Sequence, residues 1–71
     1  MEPIHFVLTT EFIELFKLLK ITGLCESGGQ AKHAISESRV QVDGIVELRK
    51  AFKVRKGMRI NFSGQTITVD A

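Results

Sequence analysis

Two groups of residues in this sequence of 71 can engage a ligand, and both suit an anion. The first is Ser27-Gly28-Gly29-Gln30-Ala31-Lys32. Its ends form a capping box, with the Ser27 hydroxyl accepting from the Gln30 amide and the Gln30 side chain returning to Ser27. A helix that starts there presents unpaired amides and the positive end of its dipole to a phosphate. Gly28 and Gly29 let a backbone approach unobstructed, and Lys32 adds charge within the first two turns. His33 follows; it can bond a phosphate, stack on a base, or simply stay solvated. Two glycines before a helix also make an ordinary turn, so this group alone identifies nothing.

The second group is Arg49, Lys50, Lys53, Arg55, Lys56 and Arg59, six cations with no acid among them. On a strand, Lys53 and Arg55 share one face while Phe52 and Val54 share the other. That arrangement predicts a buried apolar row and an outward cationic row, which Arg39 and Arg49 extend through neighbouring strands. The surface suits a polyanion; it also has the composition of a solvated, solubilising face.

Covalent chemistry finds little to work with. Cys25 precedes a helix start, where a thiolate gains stability, but no base adjoins it in sequence, and a semi-buried structural thiol is the expectation. A lone cysteine forms neither an internal disulfide nor a cysteine-based metal site. Glu11, Glu14, Asp43 and Glu47 show no paired arrangement, and so short a chain offers no deep cleft. No catalytic residue, metal or cofactor is expected, and the chain is not read as an enzyme. Phe12, Phe16, Phe52 and Phe62 are spaced as core residues, with Phe6 open between core and surface. There is no Trp or Tyr, so recognition should rest on phosphate and shape rather than on stacking.

These residues must be positioned by a small fold. The length suits one domain over residues 1–71, and 44% hydrophobic content is globular. No window approaches the ~20 apolar residues of a membrane span, and residues 1–10 do not resemble a signal peptide. A reduced, cytoplasmic location is expected. The net charge of +2 is unevenly divided: residues 1–26 sum to −2 and residues 27–71 to +4.

Ile4, Phe6 and Leu8 alternate as a short strand does. Phe12, Leu15, Phe16 and Leu19 follow the spacing of one helical face, predicting a first helix over 11–21 capped by Thr10 and stopped at Gly23. A second helix over 27–38 carries Ala31, Ala34 and Ile35 as a narrow packing stripe. The period then changes to two. Val40-Gln41-Val42, the turn Asp43-Gly44 and a return strand over 45–48 form a hairpin. Turns at Lys56-Gly57 and Ser63-Gly64 bracket strands over 59–62 and 66–69. The predicted class is α+β, two packed helices followed by a small antiparallel sheet of short strands.

This order of motifs resembles the S-four-type RNA-binding domain, the αL motif of the ribosomal small-subunit protein four family. In that family Ser-Arg-x-Gln-Ala-Arg opens the second helix, matching residues 27–32. Gly-x-Val-x-Val-Asn-Gly enters the hairpin, matching Ser38 to Gly44, and Val-x-x-Gly-Asp-x-Ile matches Val54 to Ile60. The resemblance covers roughly residues 12–62. It implies that the two helices and first hairpin bind structured RNA, at Ser27, Gln30, Lys32, His33 and Arg39, with the Arg49–Arg59 cluster as flanking charge. Four positions depart from the pattern: Gly28 replaces Arg, Ser38 replaces Gly, Asp43 replaces Asn and Met58 replaces Asp. The length resembles small bacterial members associated with ribosomes or ribosomal RNA. The expected partners are structured RNA and the ribosome or a ribosomal subunit, with no membrane and a monomeric chain. The alternative is a protein-interaction module that docks on a ribosomal or RNA-processing protein through a sheet edge, with the 66–69 strand as the candidate edge. A DNA-binding regulator ranks last.

Overall fold

The computed structural model describes residues 3–70. Two-residue periodicity shapes a five-stranded sheet of β1 (Ile4–Val7), β3 (Val40–Val42), β4 (Ile45–Val46), β6 (Arg59–Phe62) and β7 (Gln65–Asp70), in the order β1-β7-β6-β3-β4. The register aligns Ile4 with Ile67, and Ile67 with Ile60, which faces Val42. One face is therefore apolar and buried; the other carries Gln41, Asn61 and Thr66 in a polar row. A separate pair, β2 (Ile13–Glu14) with β5 (Lys53–Val54), stands outside this sheet.

Helices α1 (Leu15–Ile21) and α2 (Gly28–Ser36) cover the apolar face. Leu15, Leu18 and Leu19 of α1 and Ala31, Ala34 and Ile35 of α2 join Val40, Val54, Ile60, Ile67 and Val69 in one buried cluster. Alanines on α2 keep its packing surface narrow, so the larger leucines of α1 can fill the space between the helices and the sheet. The α+β class holds, with one refinement: β1 lies parallel to β7, so the sheet is mixed rather than wholly antiparallel.

The first helix starts four residues later than the spacing predicts. Ile13 and Glu14 pair with Val54 and Lys53, and this extended pairing draws the chain out of helical geometry. Thr10 is consequently no cap; its hydroxyl donates to the Phe12 carbonyl at 2.9 Å. The opening amides of α1 instead donate to the basic segment, Leu15 N–H to Phe52 O at 2.9 Å and Phe16 N–H to Lys50 O at 3.2 Å. The return strand of the hairpin is also shorter, ending at Val46.

Both hairpin turns form as their residue types require. Asp43 and Gly44 have φ of 52° and 84°, the left-handed pair of a two-residue turn. The Asp43 carboxylate also accepts from Arg59 N–H at 3.0 Å, tying the turn to β6. Ser38 takes the left-handed position after α2, with φ 63°. Ser38 N–H bonds Ile35 O, and Arg39 N–H bonds Ala34 O, the paired closure of a Schellman end.

The expectation of an edge at 66–69 is overturned. β7 lies between β1 and β6, and the edges are β1 and β4. At the β4 edge Ile45, Val46 and nearby Leu48 are exposed.

Candidate nucleic-acid interface

Ser27 is extended, and its hydroxyl accepts from Gln30 N–H at 3.1 Å. The Gln30 side-chain carbonyl reaches back one residue further than predicted, to the Glu26 N–H. The first four amides of a helix lack internal partners; the Ser27 cap takes that of Gln30, and those of Gly28 and Gly29 stand at the open end. Gly28 adjoins Phe16: a Cβ there would meet the ring at 3.7 and 3.8 Å, ordinary contact. A Cβ is tolerated at this position, so the glycine is not required by a close approach. The Lys32 ammonium lies 4.7 Å from the centroid of that same ring, placing a cation beside the position where the family motif has Arg.

Lys17 approaches Phe16 at 5.9 Å and pairs with Glu14 at 2.9 Å. Because Phe16 N–H bonds the Lys50 carbonyl, the basic segment begins next to this ring. The Arg49 guanidinium lies 4.9 Å from the Phe52 ring. Glu47 holds it from behind: Arg49 Nε donates at 2.9 Å, Nη2 at 3.2 Å and the backbone N–H at 3.0 Å. The Arg49 hydrogen bond lowers the Glu47 pKa from its ordinary 4.5. Beyond it, Lys53 and Arg55 flank Phe12 at 5.0 and 5.9 Å, and Arg55 reaches Glu11 at 3.4 Å.

The structure thus brings the α2 start (Ser27, Gly28, Gly29, Gln30, Lys32) to Phe16 through Gly28 and Lys32, and Phe16 to the segment of Arg49, Lys50, Lys53 and Arg55 through its bond to Lys50 O. The predicted cationic row does not run through the main sheet, because β5 pairs only with β2. Arg39, on the main-sheet side, follows the far end of α2, about 13 Å of helix from Ser27. His33 is turned to Glu37, Nε2 to Oε1 at 2.9 Å. Lys56 is exposed beside Arg55 in the turn before β6. Burial raises the pKa of the Cys25 thiol, in keeping with a structural role.

Sequence reasoning overlooked Glu47, Lys17 and the aromatic surfaces. Glu47 and Arg49 share a side of an extended chain at i, i+2, a signal present in the sequence. Phe12, Phe16 and Phe52 are half-buried, and Phe12 lies outside the core-packed set. Its assignment to the core is corrected: the β2–β5 pairing removes residue 12 from the helix that would have turned it inward. Among the described residues, no cluster of His, Cys, Asp or Glu can hold a metal ion, and no helix is long and apolar enough to cross a membrane.

Comparison with known proteins places this geometry. A protein of Escherichia coli (strain K12) named "Putative RNA-binding protein YbcJ" is 49% identical over 59 residues, spanning 83% of this chain and 84% of that protein. The "Uncharacterized protein YbcJ" of Shigella flexneri matches to the same extent. The solution structure of YbcJ from E. coli, described as revealing an αL motif involved in RNA binding, superposes with a TM-score of 0.77 at 43% identity, covering 100% of this chain and 91% of that one. Residues 6–70 match the model of the S4 domain, and the chain belongs to the S4 domain family.

Proposed function

We propose that this chain binds structured RNA without performing chemistry, through the surface that runs from the α2 N-terminus across Phe16 to the Arg49–Arg55 segment. One observation carries the reading. The carbonyls of Lys50 and Phe52 cap α1, which fastens the basic segment of Arg49, Lys50, Lys53 and Arg55 to the helix whose Phe16 ring carries Lys32 and Lys17. Charges spaced along a surface of this kind neutralise successive phosphates and fix the register of a nucleic acid. The RNA-binding αL motif described for the E. coli relative supports the same partner. Ribosomal RNA, within a ribosome or ribosomal subunit in the cytoplasm, is the proposed setting; the resemblance to small ribosome-associated proteins favours it.

The test is titration of the isotope-labelled chain with an RNA hairpin and, separately, with a DNA duplex of the same stem. Amide shifts should concentrate at residues 27–33 and 49–55, with RNA bound more tightly than DNA. Lys32→Ala should weaken RNA binding while leaving the fold intact. Shifts confined to β1 and the outer sheet face would refute the assignment. The exposed Ile45, Val46 and Leu48 at the β4 edge favour, as a second reading, docking on a ribosomal or RNA-processing protein. Complexes that survive nuclease treatment and are lost on Ile45→Lys would support it.

A further inference from the structure

Phe12 has no structural explanation in the core, and Phe52, although it packs partly on the core cluster, stays half-buried. A phenylalanine that serves only the core is normally buried, yet among the described residues the fully buried side chains are aliphatic. Phe12 is half-buried without packing on the core cluster, and its neighbours Lys53 and Arg55 are both cationic. Phe52 lines a shallow, open depression with Arg49, Ala51 and Lys53. Lys53 belongs to both surroundings and links the two rings.

Cations beside partly exposed aromatic rings attract a ligand that is anionic at one end and flat and apolar at the other. An unpaired nucleotide has this form. Its base stacks on a ring, and its phosphate meets a neighbouring Lys or Arg; single-strand-binding surfaces combine these two features. A base-paired helix cannot use the rings, because its base faces are already stacked. Resting on the RNA-binding reading above, we propose that Phe52 and Phe12, with Lys53 between them, receive unpaired bases of RNA next to the helical stem held at α2. Arg49 takes part as a positioned group. Glu47 holds its guanidinium at the Phe52 ring, where it can meet a flanking phosphate.

The experiment compares three RNAs by fluorescence anisotropy with the full chain: a blunt hairpin, the hairpin with a four-nucleotide unpaired extension, and the same extension made abasic. The phosphate count is equal in the last two. The base-bearing extension should bind at least roughly tenfold more tightly than the abasic one, the effect of a single stacked base. Phe12→Leu should erase much of that gain while blunt-hairpin affinity stays unchanged, with circular dichroism checking the fold. Equal affinity for abasic and base-bearing extensions would overturn the inference and leave stem binding intact; this arm needs no variant. Failure of all three RNAs to bind would overturn the RNA-binding reading itself, and this inference with it.

Discussion

Ser38 illustrates how a single residue type adjusts stability without changing the fold. It occupies a left-handed backbone position, φ 63°, that costs an L-residue roughly 1–2 kcal/mol. Glycine avoids the clash but gives the unfolded chain more freedom, an offset of about 0.4–1 kcal/mol. Ser38→Gly should therefore stabilise by about 0.5–1 kcal/mol and raise Tm by roughly 3–6 °C, read by thermal denaturation; a lower Tm would contradict this account of the helix end. Glu47 supplies a pH prediction. Its carboxyl pKa is lowered from 4.5 by hydrogen bonds from Arg49, so the native state favours the ionised form. The pair's contribution is full above the unfolded value of 4.5 and is lost as pH falls through the lowered native value. An NMR titration should show a Glu47 midpoint below 4.5 that returns toward it in Arg49→Ala.

At the scale of elements, α2 depends on its cap and α1 on a distant segment. Ser27→Ala removes the acceptor of the Gln30 amide and should cost about 1 kcal/mol. Faster amide exchange should be confined to the first turn of α2. The start of α1 has no side-chain cap; its amides are satisfied by Phe52 and Lys50 carbonyls. Proline at Leu15 or Phe16 would remove one of these donors; at Phe16 it would also remove the ring beside Lys17 and Lys32. Leu15 is fully buried, so Phe16→Pro is the cleaner variant. It should loosen the 49–55 segment, release Lys32 from its ring and weaken RNA binding, and two-dimensional NMR would register the loosening as shifts in Lys50 and its neighbours. Unchanged shifts there would show that the segment is held without the bond from Phe16 N–H to Lys50 O.

Across the whole molecule, a formal charge of only +2 coexists with a concentrated cationic surface. Acids are present on it, but Glu14, Glu47 and Glu11 are each engaged by Lys17, Arg49 and Arg55, and several cations have no acidic partner in those pairs. Contacts to about four to six phosphates should make log affinity fall with log salt at a slope between about −3 and −5. The slope should become shallower by nearly one on Lys53→Ala, measured by anisotropy across a salt series. A flat response would show that net charge, not its distribution, describes the partner.

Much of this protein was legible in its residues because the signals were local. Ser27 and Gln30 cap α2, Asp43-Gly44 turns the hairpin, and Ala31, Ala34 and Ile35 face the core, each through contacts within a few positions. The α+β class and the S4 resemblance followed from the order of such signals. Tertiary structure decided what depended on segments far apart in the chain. Pairing of Ile13 with Val54 shortened α1, moved Phe12 to the surface and detached the basic segment from the main sheet. The parallel joining of β1 to β7 buried the supposed edge strand. Local periodicity could not reveal these outcomes, since residues 12–16 satisfy a helical pattern as well as an extended start. Long-range backbone hydrogen bonds and burial of Val54 selected between them, and that selection joined α2 to its row of cations.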